Sequence, residues 1–130
     1  MFKISPINDK ELQSQYAKAC GTESVPDYFA YSMIDEESGE LMGFSQFEIN
    51  EKGGFITDIR EKIGCSDNEA MFILGRATMN FIDLCGSHIC FAKKDAGDTK
   101  LLSAIGFKES DDNLLRCDMS GMFDGNCKGH

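Results

Sequence analysis

The chain has 130 residues and a formal net charge of −9 at neutral pH, with a pI near 4.6. Its length is that of one domain, and its 42% hydrophobic content is that of a globular protein. The acidic balance argues against nucleic acid and anionic membrane surfaces as partners, because binding to either needs a basic surface. The composition therefore predicts a single domain over residues 1–130 that binds neither nucleic acid nor membrane.

The N-terminal segment "MFKISPINDKEL" lacks the basic-then-apolar order of a signal peptide. No apolar stretch reaches the roughly 18 to 20 residues that span a membrane. We therefore expect a cytoplasmic location, where the six cysteines stay reduced. Two groupings of thiols and imidazoles could coordinate a metal: Cys85 with His88 and Cys90, and Cys117 with Cys127 and His130. Neither grouping has the spacing of known zinc sites, so buried thiols and no metal site are predicted.

The N-terminal half predicts a strand, a helix and three further strands. Residues 1–7 have a strand-like pattern, and Asn8 or Asp9 can cap a helix that ends before Gly21. Three aromatic or apolar runs follow, at 27–35, 41–49 and 55–60. Short polar turns join these runs, which is typical of an antiparallel meander.

The C-terminal half begins with a long amphipathic helix over about residues 67–84, in which Gly75 permits close packing. A strand at 87–93, a short helix at 98–106 and two final strands follow. Asp98 or Thr99 can cap the short helix, and Gly106 can end it. The order β-α-β-β-β-α-β-α-β-β indicates an α+β fold around a mixed sheet.

Three stretches of the sequence resemble the GNAT superfamily of acyl-CoA-dependent N-acyltransferases: "GELMGFSQFEIN", "FITDIREKIGCSDNEAMFILGRATMNFID" and "LLSAIGFKES". The resemblance implies a mixed, mostly antiparallel sheet with a long central helix packed on it. One helix precedes the meander where the family often has two, so the chain resembles a minimal member of the superfamily.

The resemblance also implies a donor, an acceptor and a site. The donor would be acetyl-CoA or another acyl-CoA, and the acceptor an amine of a small molecule or peptide. In the family, the loop between the fourth strand and the central helix holds the pyrophosphate on its backbone N–H groups. The resemblance places the coenzyme A contacts at Thr57, Ile59, Arg60, Lys62, Ser66, Asp67, Asn68 and Glu69.

The sequence departs from the family where the pyrophosphate would bind. The family pattern Arg/Gln-x-x-Gly-x-Gly/Ala is replaced by "SDNEAM", residues 66–71. Ser66 and Glu69 have the spacing of a capping box, whose side chains would occupy backbone donors at the helix start. An alternative alignment keeps Gly64, in "KIGCS", as a lone glycine. The family's proton-donating Tyr is matched by Leu102, which has no proton to give.

Two carboxylates are candidates for the general base that takes a proton from the amine, Asp58 and Glu48. For Asp58, the alternative is a structural pair with Arg60 or a water-facing strand end. Two functional hypotheses follow. The chain is an acyl-CoA-dependent N-acyltransferase, or it is a catalytically degenerate GNAT-like domain that binds another ligand or a protein partner, with a homodimer among the alternatives.

Overall fold

The computed structural model describes residues 1–110 and 113–123 of the chain. Strands and helices alternate there in the predicted order: β1 (Phe2–Pro6), α1 (Lys10–Ala19), β2 (Phe29–Asp35), β3 (Leu41–Asn50), β4 (Gly53–Glu61), α2 (Asn68–Leu84), β5 (Ile89–Lys93), α3 (Thr99–Ile105), β6 (Lys108–Glu109) and β7 (Leu114–Asp118). The predicted α+β class is therefore confirmed. Within these residues, each helix is too short or too polar to cross a membrane.

The strands form one sheet in the order β1-β2-β3-β4-β5-β7-β6. Every neighbouring pair is antiparallel except β4 and β5, which run parallel, so the predicted meander and mixed sheet are both present. The parallel pairing covers only three residues of each strand, from Gly54 opposite Cys90 to Ile56 opposite Ala92. Beyond Ile56 the strands diverge, and β4 continues to Glu61 without β5 beside it.

Helices cover the sheet on both faces. On one face, α2 and α3 enclose the larger core, which includes Phe47, Ile56 and Leu74. On the other face, α1 packs against a smaller apolar cluster that includes Ile7, Ala17 and Phe44. The alternation of side chains along β3 supplies both cores, since Phe44 and Phe47 point to opposite faces.

The contact between α2 and α3 depends on Gly75. A Cβ atom at this position would lie 2.9 Å from Cδ1 of Ile105, closer than two carbon atoms can approach. The predicted close approach at Gly75 is thus confirmed, and the partner is α3. This contact fixes α3 beside the N-terminal half of α2, which positions the groove described below.

The predicted capping box at Ser66 and Glu69 is wrong. The N-cap of α2 is Asp67, whose carboxylate accepts a hydrogen bond from the N–H of Ala70 at 3.0 Å. The backbone N–H of Asp67 itself donates to the carboxylate of Glu61. Asp67 has the extended conformation of a cap residue, and its carboxylate reaches the N–H of the third helical residue, as a serine hydroxyl can. The helix therefore begins one residue later than the capping-box pattern predicted.

Candidate functional site

A groove opens where β4 and β5 diverge, between the end of β4 and the first turns of α2 and α3. One part of it has a volume of about 390 Å³. Its lining combines apolar and charged side chains: Cys20, Ile59, Arg60, Glu61, Asn68, Met71, Gly97, Asp98 and Leu101. A second hollow of about 400 Å³ continues between α2 and α3 and shares Asn68, Asp98 and Leu101 with the first. Together they form one groove along the N-terminal end of α2.

The inner end of the groove is partly closed by the turn after β5. The backbone N–H of Ile59 donates to the carbonyl of Ala96 at 2.8 Å, and Ala96 is fully buried. Gly97 follows so closely that a Cβ there would lie 2.3 Å from the carbonyl oxygen of Ile59. The turn thus replaces β5 as the neighbour of β4 at Ile59, and it does so through a contact that only glycine permits.

The strand β4 contains a bulge at Thr57, immediately after its pairing with β5 ends. Gln46 lies opposite Asp58 and Phe47 lies opposite Ile56, which leaves Thr57 as the extra residue. A bulge re-aims the side chains that follow it, and bulges are common beside active sites. Here the bulge directs Asp58 to the α1 face of the sheet and leaves Ile59 in the core on the α2 face.

Asp58 is 4% exposed and accepts four hydrogen bonds. Thr22 and Arg60 donate to Oδ1 at 2.8 and 2.7 Å, and Gln46 and Thr57 donate to Oδ2, both at 3.0 Å. A carboxylate has about four lone-pair sites, so no site remains for a substrate proton. These contacts favour the structural alternative for Asp58, as the partner of Arg60. Its role as the general base stays a prediction.

The network around Asp58 holds the segment between α1 and β2. Gln46 accepts from the N–H of Val25 at 2.7 Å and donates to the carbonyl of Glu23 at 3.1 Å. Gln13 donates to Oε1 of Gln46 at 2.8 Å and to the carbonyl of Val25 at 3.2 Å. Both glutamines are completely buried. Residues 22–28 have no regular secondary structure, and these side chains supply the hydrogen bonds that order them.

Glu48, the second predicted base, is half-buried on the same face of the sheet as Asp58. The hydroxyl of Tyr28 donates to Oε2 of Glu48 at 3.3 Å. Burial, followed by the Glu48 carboxylate, raises the pKa of Tyr28 above its usual value. Glu48 therefore has free lone pairs that Asp58 lacks, and it remains a candidate base.

The predicted coenzyme A contacts fall into two groups. Ile59, Arg60, Asn68 and Glu69 line the groove, although the N–H of Ile59 is already bonded to Ala96. Thr57, Lys62, Ser66 and Asp67 do not line it. Thr57 is engaged with Gln46 and Asp58, and the N–H of Lys62 donates to the carbonyl of Met42. The structure thus brings together half of the predicted contacts.

The residues missed from the sequence are Gln13, Gln46, Gly97 and Leu101. A signal existed for the two glutamines. Gln13 shares helical spacing with the buried Ala17 and Cys20, and Gln46 interrupts the apolar run of β3. A polar residue at a core position has to find partners, and here the two find each other. Gly97 gave no signal in the sequence, because its role is a close approach to the backbone of Ile59 that no local pattern reveals.

The described residues contain no group of three or more His, Cys, Asp or Glu arranged to hold a metal. In the first suggested grouping, Cys90 is buried in the core, whereas the exposed His88 ring contacts Oδ1 of Asp83 at 2.6 Å. The second grouping includes Cys127 and His130, which lie outside the described residues. The five described cysteines are free thiols. Cys20, Cys90 and Cys117 are buried as predicted, whereas Cys65 is partly exposed and Cys85 is exposed, so the prediction of buried thiols is wrong for these two.

Solved structures with the same fold include several N-acetyltransferases. The ribosomal-protein-S18-alanine N-acetyltransferase of Escherichia coli aligns with a TM-score of 0.69 at 11% identity, over 92% of this chain and 94% of its own. The PaiA N-acetyltransferase of Thermoplasma acidophilum, in complex with coenzyme A, aligns with a TM-score of 0.67 at 12% identity, over 91% and 99%. YhhK of Escherichia coli, a putative N-acetyltransferase bound to coenzyme A, aligns with a TM-score of 0.66 at 15% identity, over 90% and 98%.

Neither a family model nor a curated protein matches the sequence. Two other similar structures are complexes with DNA, the KacTA–DNA complex and the DNA-bound AtaT–AtaR complex. At sequence identities of 11 to 15%, this similarity shows a shared fold alone. The resemblance to the GNAT superfamily is thus confirmed at the level of architecture: the chain has the GNAT fold.

Proposed function

We propose that this GNAT-fold domain transfers an acyl group from an acyl-CoA thioester to an amine of a small molecule or peptide. The observation that carries the proposal is the groove at the β4/β5 divergence. It is open, it runs along the N-terminal end of α2, and it belongs to a fold whose solved examples include coenzyme A complexes.

In the proposed reaction, the amine nitrogen forms an amide bond with the thioester carbonyl carbon while the C–S bond breaks. The leaving thiolate gains a proton, and the amine loses one. Glu48 is the proposed acceptor of the amine proton, because its carboxylate has lone pairs free and Tyr28 orients it. A missing general base typically costs about 100-fold or more in rate. Glu48→Gln is therefore expected to lower kcat by at least that factor.

The acceptor proposed is cationic or neutral rather than anionic, because the domain carries a net charge of −9. The same charge supports the proposal that nucleic acid is not a direct partner. The DNA in two similar structures is a property of those complexes. A cytoplasmic location and a single domain over residues 1–130 remain proposals from the sequence.

A second candidate function is a catalytically degenerate domain that binds a ligand or a protein partner without chemistry. Two observations favour it. Asp58 has no lone pair free, and Leu102, which stands where the family has its acid, is fully buried. If the domain is degenerate, an acyl donor that binds in the groove would release no free thiol.

Binding and turnover separate the two candidates. Acetyl-CoA would be titrated by calorimetry, and release of free thiol would be followed with a panel of amines and N-terminal peptides. Leu101→Trp, which fills the groove, should abolish binding. Leu84→Trp, at the 76% exposed far end of α2, is the matched control and should bind normally. Binding without thiol release from any acceptor would favour the second candidate. The first candidate fails if neither acetyl-CoA nor acetyl-pantetheine, which carries the same thioester without the nucleotide, binds at millimolar concentration.

A further inference from the structure

Carboxylates of the chain surround the end of the groove where a pyrophosphate would lie. Glu61, which lines the groove, accepts the N–H of Asp67, and Asp67, just outside the lining, accepts the N–H of Ala70. On the opposite wall, Asp98 accepts the N–H of Leu101 at the start of α3. These backbone donors are the kind that bind phosphate at helix starts, and here each already has an anionic partner.

The charge at this end is net negative. Glu69 adds a fourth, exposed carboxylate in the first turn of α2. The cations that line the groove are Arg60 and Lys100. Arg60 is held by Asp58 through Nε and by the carbonyl of Asp95 through Nη2, at 2.7 and 2.6 Å. Among the described residues, Lys100 is then the one lining cation without a carboxylate partner, against three lining carboxylates, Glu61, Glu69 and Asp98, so an added pyrophosphate would be repelled and not attracted.

The rest of the groove suits an uncharged chain that carries amides. Ile59, Met71 and Leu101 supply apolar walls. Asn68 lies at the junction of both hollows, and no described residue hydrogen-bonds its side-chain amide. A carboxamide donates and accepts at once, which matches the amide groups of a pantetheine arm.

We infer that this site recognises its donor through the pantetheine arm of the thioester and not through the pyrophosphate. Acyl-pantetheine thioesters are then donors at least as good as acyl-CoA. The inference rests on the proposed function and narrows its donor class. The chemistry is unchanged: the amine nitrogen bonds to the acyl carbon, the C–S bond breaks, and pantetheine leaves as the thiol with the proton that the amine gave up.

The test compares acetyl-CoA with acetyl-pantetheine on the wild-type chain, by calorimetry and by thiol release, at low and at moderate salt. At low salt, acetyl-pantetheine should bind about two- to tenfold more tightly, since repulsion between exposed charges is least screened there. Added salt should tighten acetyl-CoA binding and leave acetyl-pantetheine unchanged. A site that holds phosphate would show the opposite salt dependence for acetyl-CoA.

A variant that removes one carboxylate tests whether the repulsion of acetyl-CoA comes from the start of α2. Asp67→Ser keeps a residue type that caps helices and removes one carboxylate. It should strengthen acetyl-CoA binding about two- to fivefold at low salt, with acetyl-pantetheine within about twofold of wild type. Asp9→Ser changes the N-cap of α1 in the same way, away from the groove lining, and serves as the control. Equal effects of the two variants on acetyl-CoA would overturn the assignment of the repulsion to the α2 end.

The outcomes separate the inference from the function on which it rests. If acetyl-CoA binds about tenfold or more tightly than acetyl-pantetheine, the inference is wrong and the acyltransferase proposal stands. If neither thioester binds at millimolar concentration, the acyltransferase proposal itself fails. Comparable or tighter binding of acetyl-pantetheine, with thiol release, supports both.

Discussion

Two polar regions of this molecule differ in how their hydrogen bonds are distributed. Beneath residues 22–28, the side chains of Gln13, Gln46 and Asp58 are buried and bonded to one another and to the backbone. In the groove, Asn68 is exposed and its amide has no partner among the described residues. The first arrangement specifies a structure, and the second leaves capacity for a ligand. A polar residue in a cleft is therefore informative about function only when some of its bonds are still open.

The largest expected effect comes from the buried region. Gln46→Ala removes partners from Gln13, Asp58 and the loop backbone at once. Buried groups left unsatisfied, together with the cavity, should lower the free energy of unfolding by about 3 kcal/mol in urea denaturation. Gln15→Ala, on the exposed side of α1, should stay within about 0.5 kcal/mol of wild type. A loss under about 1 kcal/mol for Gln46→Ala would mean that the network does not hold residues 22–28.

Asp58→Asn tests the same region at the carboxylate. An amide has one oxygen, so two of the four donors to Asp58 lose their acceptor, and stability should fall by about 2 kcal/mol. If Asp58 is structural, kcat measured where the variant is fully folded should be within a few-fold of wild type. A loss of about 100-fold with unchanged stability would restore it as the base.

Cys20 lies between the two regions, because it is 4% exposed and yet lines the groove floor. Burial, followed by the neighbouring Cys65, raises the pKa of the Cys20 thiol from 9.0 to about 12. Between these values the unfolded chain loses a proton that the folded chain keeps. The contribution of this thiol to the free energy of unfolding is therefore fully present below pH 9 and is lost as the pH rises. At pH 10 the loss should be about 1 kcal/mol.

The measurement for Cys20 is urea denaturation of wild type and Cys20→Ala from pH 8 to 10.5. Other buried thiols and phenols titrate in both proteins, so the difference in slope isolates Cys20. The variant should show the shallower fall of unfolding free energy with pH. Parallel slopes would show that the thiol is open to water through the groove.

The smallest expected effect concerns Glu48 and Tyr28. The Glu48 carboxylate contributes to the raised pKa of Tyr28, after burial. Glu48→Gln should therefore lower the pKa of Tyr28 toward its usual value, which the ultraviolet absorbance of the phenolate would report. Glu40→Gln, in the exposed turn before β3, is the control and should leave the titration unchanged. An unmoved Tyr28 would remove the evidence that Tyr28 orients Glu48.

The order of elements was readable from the sequence because each depends on local chemistry. Apolar spacing marks α2, glycines and polar turns mark the ends of β2 and β3, and Asp98 caps α3 as one of two predicted residues. The start of α2 was missed by one residue, since Ser66 and Asp67 are both good caps and local pattern does not choose between them. The choice follows from Glu61, which binds the N–H of Asp67 from the end of β4.

The sequence by itself determined the α+β class, the meander, the long helix and a pair of carboxylates on neighbouring strands. These follow from periodicity, turn residues and composition, which act over a few residues. Only the tertiary structure decided that Asp58 is saturated, that Ala96 takes the N–H of Ile59, and that Asn68 keeps a free amide beside a groove. Those outcomes depend on which distant groups meet, and hydrogen-bond donors and acceptors are matched in space rather than along the chain.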